Sequence, residues 1–299
     1  MDRGSTGTLY FSTPFNGLLA KLAHGLSAPL LRSRECHDDY HESRGVSIEI
    51  DSLTKSFNGT QVLKGISLKV EPGETFSIIG PSGTGKSLLL KHIVKLETPD
   101  SGRILIDGHD IHAEVQADIP RDYRCSMVFQ SSALFNSLTV GENVGLWLRE
   151  KRICREAKIR RIIREKLRLV GLAGKEEMLT SELSGGMRKR VAIARSLAMN
   201  PDLILYDEPT AELDPVTSDE LARTIQALRE TVRLTTVIVS HDLNFALYLS
   251  DRVAMIHDGE IVAIGTPEQI KNSRNPLVHK FIYTTTKGIN KGESDGDQQ

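Results

Sequence analysis

One glycine-rich stretch has the residue types and spacing of a loop that binds polyphosphate. Eight consecutive residues fit the pattern G-x-x-x-x-G-K-[ST] at every specified position: Gly80, Pro81, Ser82, Gly83, Thr84, Gly85, Lys86 and Ser87. In such a loop, backbone N–H groups and the start of the following helix attract the phosphates, the lysine reaches the terminal phosphates, and the hydroxyl binds Mg²⁺. The stretch is therefore predicted to bind a polyphosphate together with Mg²⁺.

The flanking sequence places this loop between a strand and a helix. Residues 75–79 are a short apolar run typical of a β-strand, and residues 88–94 have the composition of a helix start. A turn that only joined a strand to a helix would have no need for Lys86 and Ser87 at that position. The context therefore favours a binding site.

Further polar groups follow two other apolar runs. Asp207 and Glu208 come directly after residues 203–206, and His241 comes shortly after residues 235–239. Open α/β sheets bind their ligands at the carboxyl ends of their strands. At such an edge, Asp207 can hold Mg²⁺ through water, Glu208 can act as a general base on a water molecule, and His241 can stabilise charge on a γ-phosphate.

A second helix start has the residue types of an anion site. Ser184, Gly185 and Gly186 stand immediately before a predicted helix, where exposed N–H groups and a hydroxyl can bind an anion. In isolation these residues would be interpreted as an ordinary N-cap. Their position between a helical segment and Asp207 favours the functional interpretation.

The composition is that of a globular protein without a membrane span of its own. The 299 residues carry a formal net charge of −1 and are 39% hydrophobic. That charge argues against a surface that coats nucleic acid, and no run of about 18 uninterrupted apolar residues exists to cross a bilayer. Three cysteines without metal-ligand spacing suit free thiols in a reducing compartment.

The chain divides into an extension, one large domain and a tail. Residues 1–45 have a long stretch without acidic residues and are predicted to be a poorly ordered extension, either an organelle transit segment or a bacterial extension. Residues 46–283 read as one α/β domain that contains a largely helical stretch at 131–195. Residues 284–299 are polar and are predicted to be a disordered tail.

Over residues 46–283 the motifs resemble, in their order, the nucleotide-binding subunit of an ATP-binding-cassette (ABC) transporter. The family names for them are the Walker A loop for 80–87, the Q-loop for Gln130, the signature for 183–187, the Walker B strand for 203–207, the catalytic glutamate for Glu208, the D-loop for Asp214 and the switch histidine for His241. The resemblance implies an α/β fold of the ABC-type P-loop NTPase class, with a mixed sheet core, an antiparallel β subdomain and an inserted helical subdomain.

The same resemblance implies an ATPase that uses ATP and Mg²⁺. It assigns catalysis to Lys86, Gln130, Glu208 and His241, and it assigns the metal to Ser87, Gln130 and Asp207. It assigns nucleotide contacts to the loop from Gly80 to Ser87, to Ser184, Gly185, Gly186 and Asp214, and to Phe57, whose ring would stack on adenine.

The resemblance also implies partners. Two copies would form a head-to-tail dimer, in which each ATP lies between the Walker motifs of one subunit and the signature of the other. A cytoplasmic helix of a separate membrane permease would dock against the loop 131–145. No nucleic-acid partner is expected, because the chain has one cassette, no long coiled-coil insertion with heptads and no excess of basic residues.

Three features resemble one group within the family. Residues 128–140, Met187 and residues 275–281 are similar to the Mla-type phospholipid-transport ATPases, which work with MCE-domain lipid-binding proteins, and to their chloroplast counterparts. The predicted function is phospholipid transport at the cytoplasmic face of a bacterial inner membrane or, alternatively, at the stromal side of a plastid inner envelope. An ATPase for amino acids or another small solute, or a soluble ABC protein acting on ribosomes or nucleic acid, are the alternatives.

One residue departs from the family pattern. Glu212 stands where the family usually has glycine, two residues before Asp214. It adds a charge and a conformational restriction near the expected dimer seam. On the sequence alone, Glu212→Gly is expected to raise ATPase activity or leave it unchanged.

Overall fold

The computed structural model describes residues 43–113 and 123–290. The predicted extension, 1–45, lies outside these residues except for its end, and so do residues 291–299 of the predicted tail. Ser43 is buried, and its hydroxyl donates to the carbonyl of Pro201 at 2.8 Å. The ordered domain therefore includes the last residues that were assigned to the extension.

The strands of the described residues form two sheets. The smaller sheet contains β1 (Ile48–Phe57), β2 (Thr60–Val70), β4 (Ser101–Ile106) and β5 (His109–Asp110). The larger sheet contains β3 (Thr75–Ile79), β6 (Cys125–Val128), β7 (Leu203–Asp207), β8 (Thr235–Ser240), β9 (Arg252–His257) and β10 (Glu260–Gly265). The strand orders are β2-β1-β4-β5 and β10-β9-β3-β8-β7-β6.

The pairing confirms the predicted mixed core and antiparallel sheet. The smaller sheet is antiparallel throughout. In the larger sheet β3 runs parallel to β8 and β9, and β7 runs parallel to β6 and β8, whereas β10 is antiparallel to β9. Every residue of β3, β7 and β8 is buried, as expected of parallel strands covered on both faces. Because these three strands are parallel, the segments that follow them meet at one edge.

The helices of the described residues pack on this sheet and beside it. They are α1 (Lys86–Ile93), α2 (Val140–Glu150), α3 (Glu156–Leu169), α4 (Gly185–Ala198), α5 (Pro215–Thr231), α6 (Leu243–Leu249), α7 (Pro267–Lys271) and α8 (Pro276–Asn290), with a short 3₁₀ turn at Thr180–Glu182. None of them is long and apolar enough to cross a bilayer.

The stretch 131–195 contains α2, α3 and most of α4. Thr139 begins α2 with a reciprocal capping box to Glu142. On α3, Ile159, Ile163 and Leu167 recur every four residues and are buried. These side chains belong to the same apolar cluster as residues of β7 and β8, so the helical insertion shares its core with the main sheet.

The sequence prediction places the start of the disordered tail, at residue 284, too early. Helix α8 continues to Asn290, so residues 284–290 are helical rather than a disordered tail. The physical reason is the apolar face of its first turns, because Val278 is fully buried and Phe281 and Ile282 pack on the cluster formed with α6 and β9. A helix anchored in this way extends through the following residues, 284–290, because none of them is proline.

Candidate active site

Lys86 is the first residue of α1 and lies inside the phosphate loop. Its side chain is only 4% exposed, and Nζ donates to the carbonyls of Gly80 at 2.9 Å and Pro81 at 2.8 Å. Burial lowers the pKa of Lys86, and the negative charges of Glu208 and Asp207 oppose that shift. A buried ammonium group at a helix start is well suited to bind a phosphate.

Two glycines are required by the path of this loop. Gly80 has φ of 148°, and a Cβ there would clash with the carbonyl oxygen of Ile256 in β9. Gly85 has φ of 94°, and a Cβ there would clash with Leu63 of β2. Both backbone conformations strain any other residue. The glycine pattern therefore holds the loop close to two neighbouring strands.

Ser87 and Asp207 form the pair to which the metal was assigned. The Ser87 hydroxyl donates to Oδ1 of Asp207 at 2.6 Å, which joins α1 to the end of β7. Burial raises the pKa of Asp207, and the hydrogen bond from Ser87 opposes that shift. Mg²⁺ prefers hard oxygen ligands and takes only one or two from the protein while keeping several waters. A half-buried hydroxyl and a buried carboxylate in contact fit this requirement.

Glu208 lies between a cation and a histidine. Its Oε2 atom is 2.7 Å from Nδ1 of His241 and accepts the backbone N–H of His241 at 3.1 Å, while its Oε1 atom is 3.9 Å from Nζ of Lys86. Glu208 has φ of 47°, a left-handed conformation that is strained for a non-glycine residue. Such strain concentrates at functional sites. The carboxylate is thus fixed where it can accept a proton from water above the loop.

Gln130 follows β6 and is held through its backbone. Nζ of Lys189 in α4 donates to the carbonyl of Gln130. Arg195, further along α4, donates to the carbonyls of Ser132 at 3.0 Å and Ala133 at 2.7 Å. Burial lowers the pKa of Arg195 to about 10. In the described part of the chain no hydrogen bond joins the Gln130 side-chain amide to Ser87 or Asp207, so its assignment as a metal ligand stays a prediction.

The signature residues contact their own helix, α4, and the start of α5 in the same subunit. The Ser184 hydroxyl caps α4 by accepting the N–H of Met187 at 3.3 Å. A Cβ at Gly186 would clash with Thr217, and one at Gly185 would lie 3.4 Å from Leu213. The two glycines therefore allow α4 to pack closely against the start of α5.

The last two assigned residues also lie apart from the loop. Asp214 caps α5: its carboxylate accepts the N–H groups of Val216 and Thr217, both at 3.0 Å, and the hydroxyl of Thr217. The Thr217 hydrogen bonds are the main reason that the pKa of Asp214 is lowered. Phe57 ends β1 with a ring that is 42% exposed, and Nζ of Lys55 lies 5.4 Å from its centroid.

Comparison with known proteins places these features in a family. A family model for ABC transporters matches residues 63–211. The intermembrane phospholipid transport system ATP-binding protein MlaF of Haemophilus influenzae is 38% identical over 250 residues, which cover 83% of this chain and 92% of that protein. The chain belongs to the ATP-binding subunits of ABC transporters. The fold class and the ATP-hydrolysing activity predicted from the motifs are thereby confirmed.

Other ABC relatives carry different names. The chloroplastic protein TRIGALACTOSYLDIACYLGLYCEROL 3 of Arabidopsis thaliana is 39% identical over 259 residues, covering 81% of this chain and 75% of that protein. A probable ribonucleotide transport ATP-binding protein, mkl, of Mycobacterium tuberculosis is 40% identical over 240 residues, covering 80% of this chain and 67% of that protein. The family is therefore clear, while the transported substrate differs among similar proteins.

Solved ABC cassettes have the same fold. A dimeric cassette in a post-hydrolysis state, bound to ADP and Pi, is 32% identical with a TM-score of 0.64, covering 74% of this chain and 98% of that one. The cbiO1 protein of Clostridium perfringens is 28% identical with a TM-score of 0.68, covering 80% of this chain and 96% of that one.

In this ABC subunit the structure joins some of the assigned residues and separates others. Lys86, Ser87, Asp207, Glu208 and His241 form one connected group at the sheet edge. Among the described residues, no hydrogen bond or ion pair joins the signature, Asp214 or Phe57 to that group. Lys189 and Arg195, which hold the Q-loop, are absent from the motif-based assignment. They are two of the four basic residues of α4, and the sequence does not distinguish them from Arg188 and Arg190.

Proposed function

We propose that the chain is the ATPase subunit of a phospholipid transporter, that it works as a head-to-tail homodimer, and that it drives a separate membrane permease. The observation that carries the ATPase part is the connected group of Lys86, Ser87, Asp207, Glu208 and His241. Positioning and charge stabilisation are the main demands of phosphoryl transfer, and this group supplies both.

Each member has a distinct part in hydrolysis. Lys86 binds the terminal phosphates, and Ser87 and Asp207 hold Mg²⁺, which when bound neutralises phosphate charge. Glu208 accepts the proton of the attacking water as the bond from the γ-phosphorus to ADP breaks. His241 holds the Glu208 carboxylate in place and faces the γ-phosphate. Phe57 stacks on adenine.

The dimer is inferred from what the signature lacks. Ser184 and the glycines after it contact α4 and the start of α5 in their own subunit, and not the phosphate loop. A second copy in a head-to-tail arrangement supplies the signature with the missing phosphate. A similar cassette has been solved as a dimer with ADP and Pi, which supports the formation of a dimer by this chain.

Phospholipid as the substrate is supported by two relatives. One is named for intermembrane phospholipid transport and the other is the chloroplastic protein TRIGALACTOSYLDIACYLGLYCEROL 3. The proposed location follows from them: the cytoplasmic face of a bacterial inner membrane or, alternatively, the stromal side of a plastid inner envelope. Other relatives are named for sulfate/thiosulfate or spermidine/putrescine import, so a small-solute permease is the competing partner.

The test is purification of the tagged chain from its native membranes in mild detergent, followed by mass spectrometry of the proteins and lipids that accompany it. A multi-span permease with an MCE-domain protein and phospholipid is the expected result. A solute permease with a periplasmic receptor would overturn the lipid assignment. Ribosomal or nucleic-acid material without a membrane protein would overturn the transport assignment as a whole.

A matched pair of variants tests where the permease docks. Phe135 lies in the loop 131–145 and Ile153 lies between α2 and α3, and each side chain is 37% exposed. Phe135→Glu is expected to abolish co-purification of the permease, because a charge replaces an apolar contact, while ATP binding is retained. Ile153→Glu should leave the permease bound. Equal loss in both variants would exclude this loop as the specific docking surface.

A further inference from the structure

Lys189 is a buried cation that the proposed hydrolysis does not use. It lies one turn into α4, is 5% exposed, and donates from Nζ to the carbonyl of Gln130. An ammonium group is costly to bury unless hydrogen bonds and negative charges compensate for the lost water. The surroundings of Lys189 therefore have to supply negative charge.

The same face of α4 meets the residues next to the D-loop. Gly185 lies four residues before Lys189 and packs toward Leu213, so both positions share one side of the helix. Glu212 immediately precedes Leu213. Burial lowers the pKa of Lys189, and the negative charges of Glu212, Asp207 and Glu208 oppose that shift.

Glu212 is the carboxylate among these three that has no other part in the site. Asp207 is hydrogen-bonded by Ser87, and Glu208 is bound by His241. Glu212 is exposed and has φ of 67°, a left-handed conformation that is strained for a non-glycine residue. Strain of this kind persists where the residue has a function.

We propose that Lys189 and Glu212 are positioning residues that hold the Q-loop against the signature helix and so couple the two ATP sites of the dimer. The inference rests on the head-to-tail dimer proposed above, in which the Q-loop serves the site of its own subunit and the signature serves the opposite site. The bond from Lys189 to Gln130 joins these two elements within one chain. When Asp207 and Glu208 face Mg²⁺ and water, Glu212 remains as the counter-charge of Lys189.

The test is a double-mutant cycle in the transporter complex with Lys189→Gln, Glu212→Gln and the combined variant. We expect Lys189→Gln to lower kcat by about tenfold, to leave the Kd for ATP unchanged, and to reduce the cooperativity of hydrolysis in ATP. Glu212→Gln should lower kcat severalfold, but it should have no further effect once Lys189 is glutamine. Lys189→Arg should restore most of the activity because it keeps the charge and the donor.

Glutamine is the decisive replacement at position 212. Glu212→Gln removes the charge and keeps the strained backbone, whereas Glu212→Gly removes both and so mixes two opposite effects. In the Lys189→Gln background only relief of strain is left, and there Glu212→Gly should raise kcat or leave it unchanged. Because Glu212 is exposed, its variants are expected to fold even if Lys189→Gln does not.

An exposed ion pair provides the control. Arg223 and Asp219 are paired at 2.8 Å on the surface of α5. Arg223→Gln and Asp219→Asn, alone and together, should leave kcat and cooperativity unchanged. Additive effects of the Lys189 and Glu212 variants in a complex that still dimerises with ATP would overturn this inference alone. Absence of an ATP-dependent dimer would overturn the proposed function on which this inference rests.

Discussion

The glycine-bearing starts of α1 and α4 differ in how much of an active site surrounds them. At the start of α1, Lys86 and Ser87 meet the carboxylates of Asp207 and Glu208 at the end of β7. At the start of α4, Ser184 caps its own helix and Gly186 packs on Thr217. The first start is part of a reactive group, and the second is part of a packing contact.

This difference shows what makes an anion site catalytic. A helix start with free N–H groups attracts phosphate wherever it occurs. Hydrolysis also needs a metal ligand and a base, and Asp207 and Glu208 at the end of β7 contact Ser87 and Lys86 at the start of α1. The start of α4 can therefore contribute binding but not chemistry, and in the proposed dimer the phosphate is held by another copy.

The largest expected effect comes from Glu208→Gln, which removes the base and leaves the rest of the α1 group. The amide cannot take a proton, so kcat for ATP hydrolysis should fall by about 10²–10⁴-fold. Binding of a fluorescent ATP analogue should be unchanged, because Lys86 and Ser87 remain. Hydrolysis at the parental rate would show that Glu208 is not the base, and the contrast between the two helix starts would then lose its chemical meaning.

Lys86→Ala should act on binding rather than on proton transfer. Hydrogen bonds to charged groups are each worth roughly 1.5–3 kcal/mol, so the Kd for ATP should rise by about 10–100-fold. Titration with the same fluorescent analogue measures it, and Lys64→Ala, at an exposed position of β2, is the control. Unchanged affinity would contradict the assignment of this loop as the phosphate site.

Mixed dimers test the contrast directly. Ser184→Asp keeps a good helix cap but places a negative charge where the partner's phosphate would lie, so this variant and Lys86→Ala should each have little activity alone at an ATP concentration well below the raised Kd. In a head-to-tail heterodimer one of the two sites has both a parental phosphate loop and a parental signature. Equal mixing should therefore recover about a quarter of the parental ATPase activity. No recovery, with mixed dimers present by cross-linking, would exclude shared sites.

The sequence predicts the α1 group well because its parts lie at strand ends. A phosphate loop after β3 and carboxylates after β7 must meet if these strands are parallel and close together, and their apolar runs indicate both. The contacts of α4 are different. Lys189 and Gln130 are 59 residues apart, and no local pattern links a lysine to a distant carbonyl. It is the packing of the helical insertion that brings Lys189 and Gln130 together.

At the start of α5, the sequence contains a helix-start signal that the family resemblance interprets as a nucleotide contact. Helix α5 begins at Pro215 with Asp214 as its N-cap. An aspartate followed by proline is a typical helix start. The family resemblance assigns Asp214 to the nucleotide, although the structure shows that its carboxylate is occupied by the cap. A nucleotide contact by this residue stays a prediction.

The smallest expected effect concerns stability on the α1 side of the contrast. His92 in α1 is fully buried, with Nδ1 2.8 Å from the carbonyl of Leu88, and burial lowers its pKa from 6.5. The folded chain therefore binds fewer protons than the unfolded chain, so this contribution to stability is complete above about pH 6.5 and is lost as the pH falls below it. Thermal unfolding should occur a few degrees lower at pH 5.5 than at pH 7.5, and His92→Gln should reduce that difference.

His112 contacts the carbonyl of His92, and burial also lowers its pKa, so His112→Gln should give a part of the same response. An unaltered pH dependence in both variants would assign the acid sensitivity to another part of the molecule and leave α1 no more sensitive than α4.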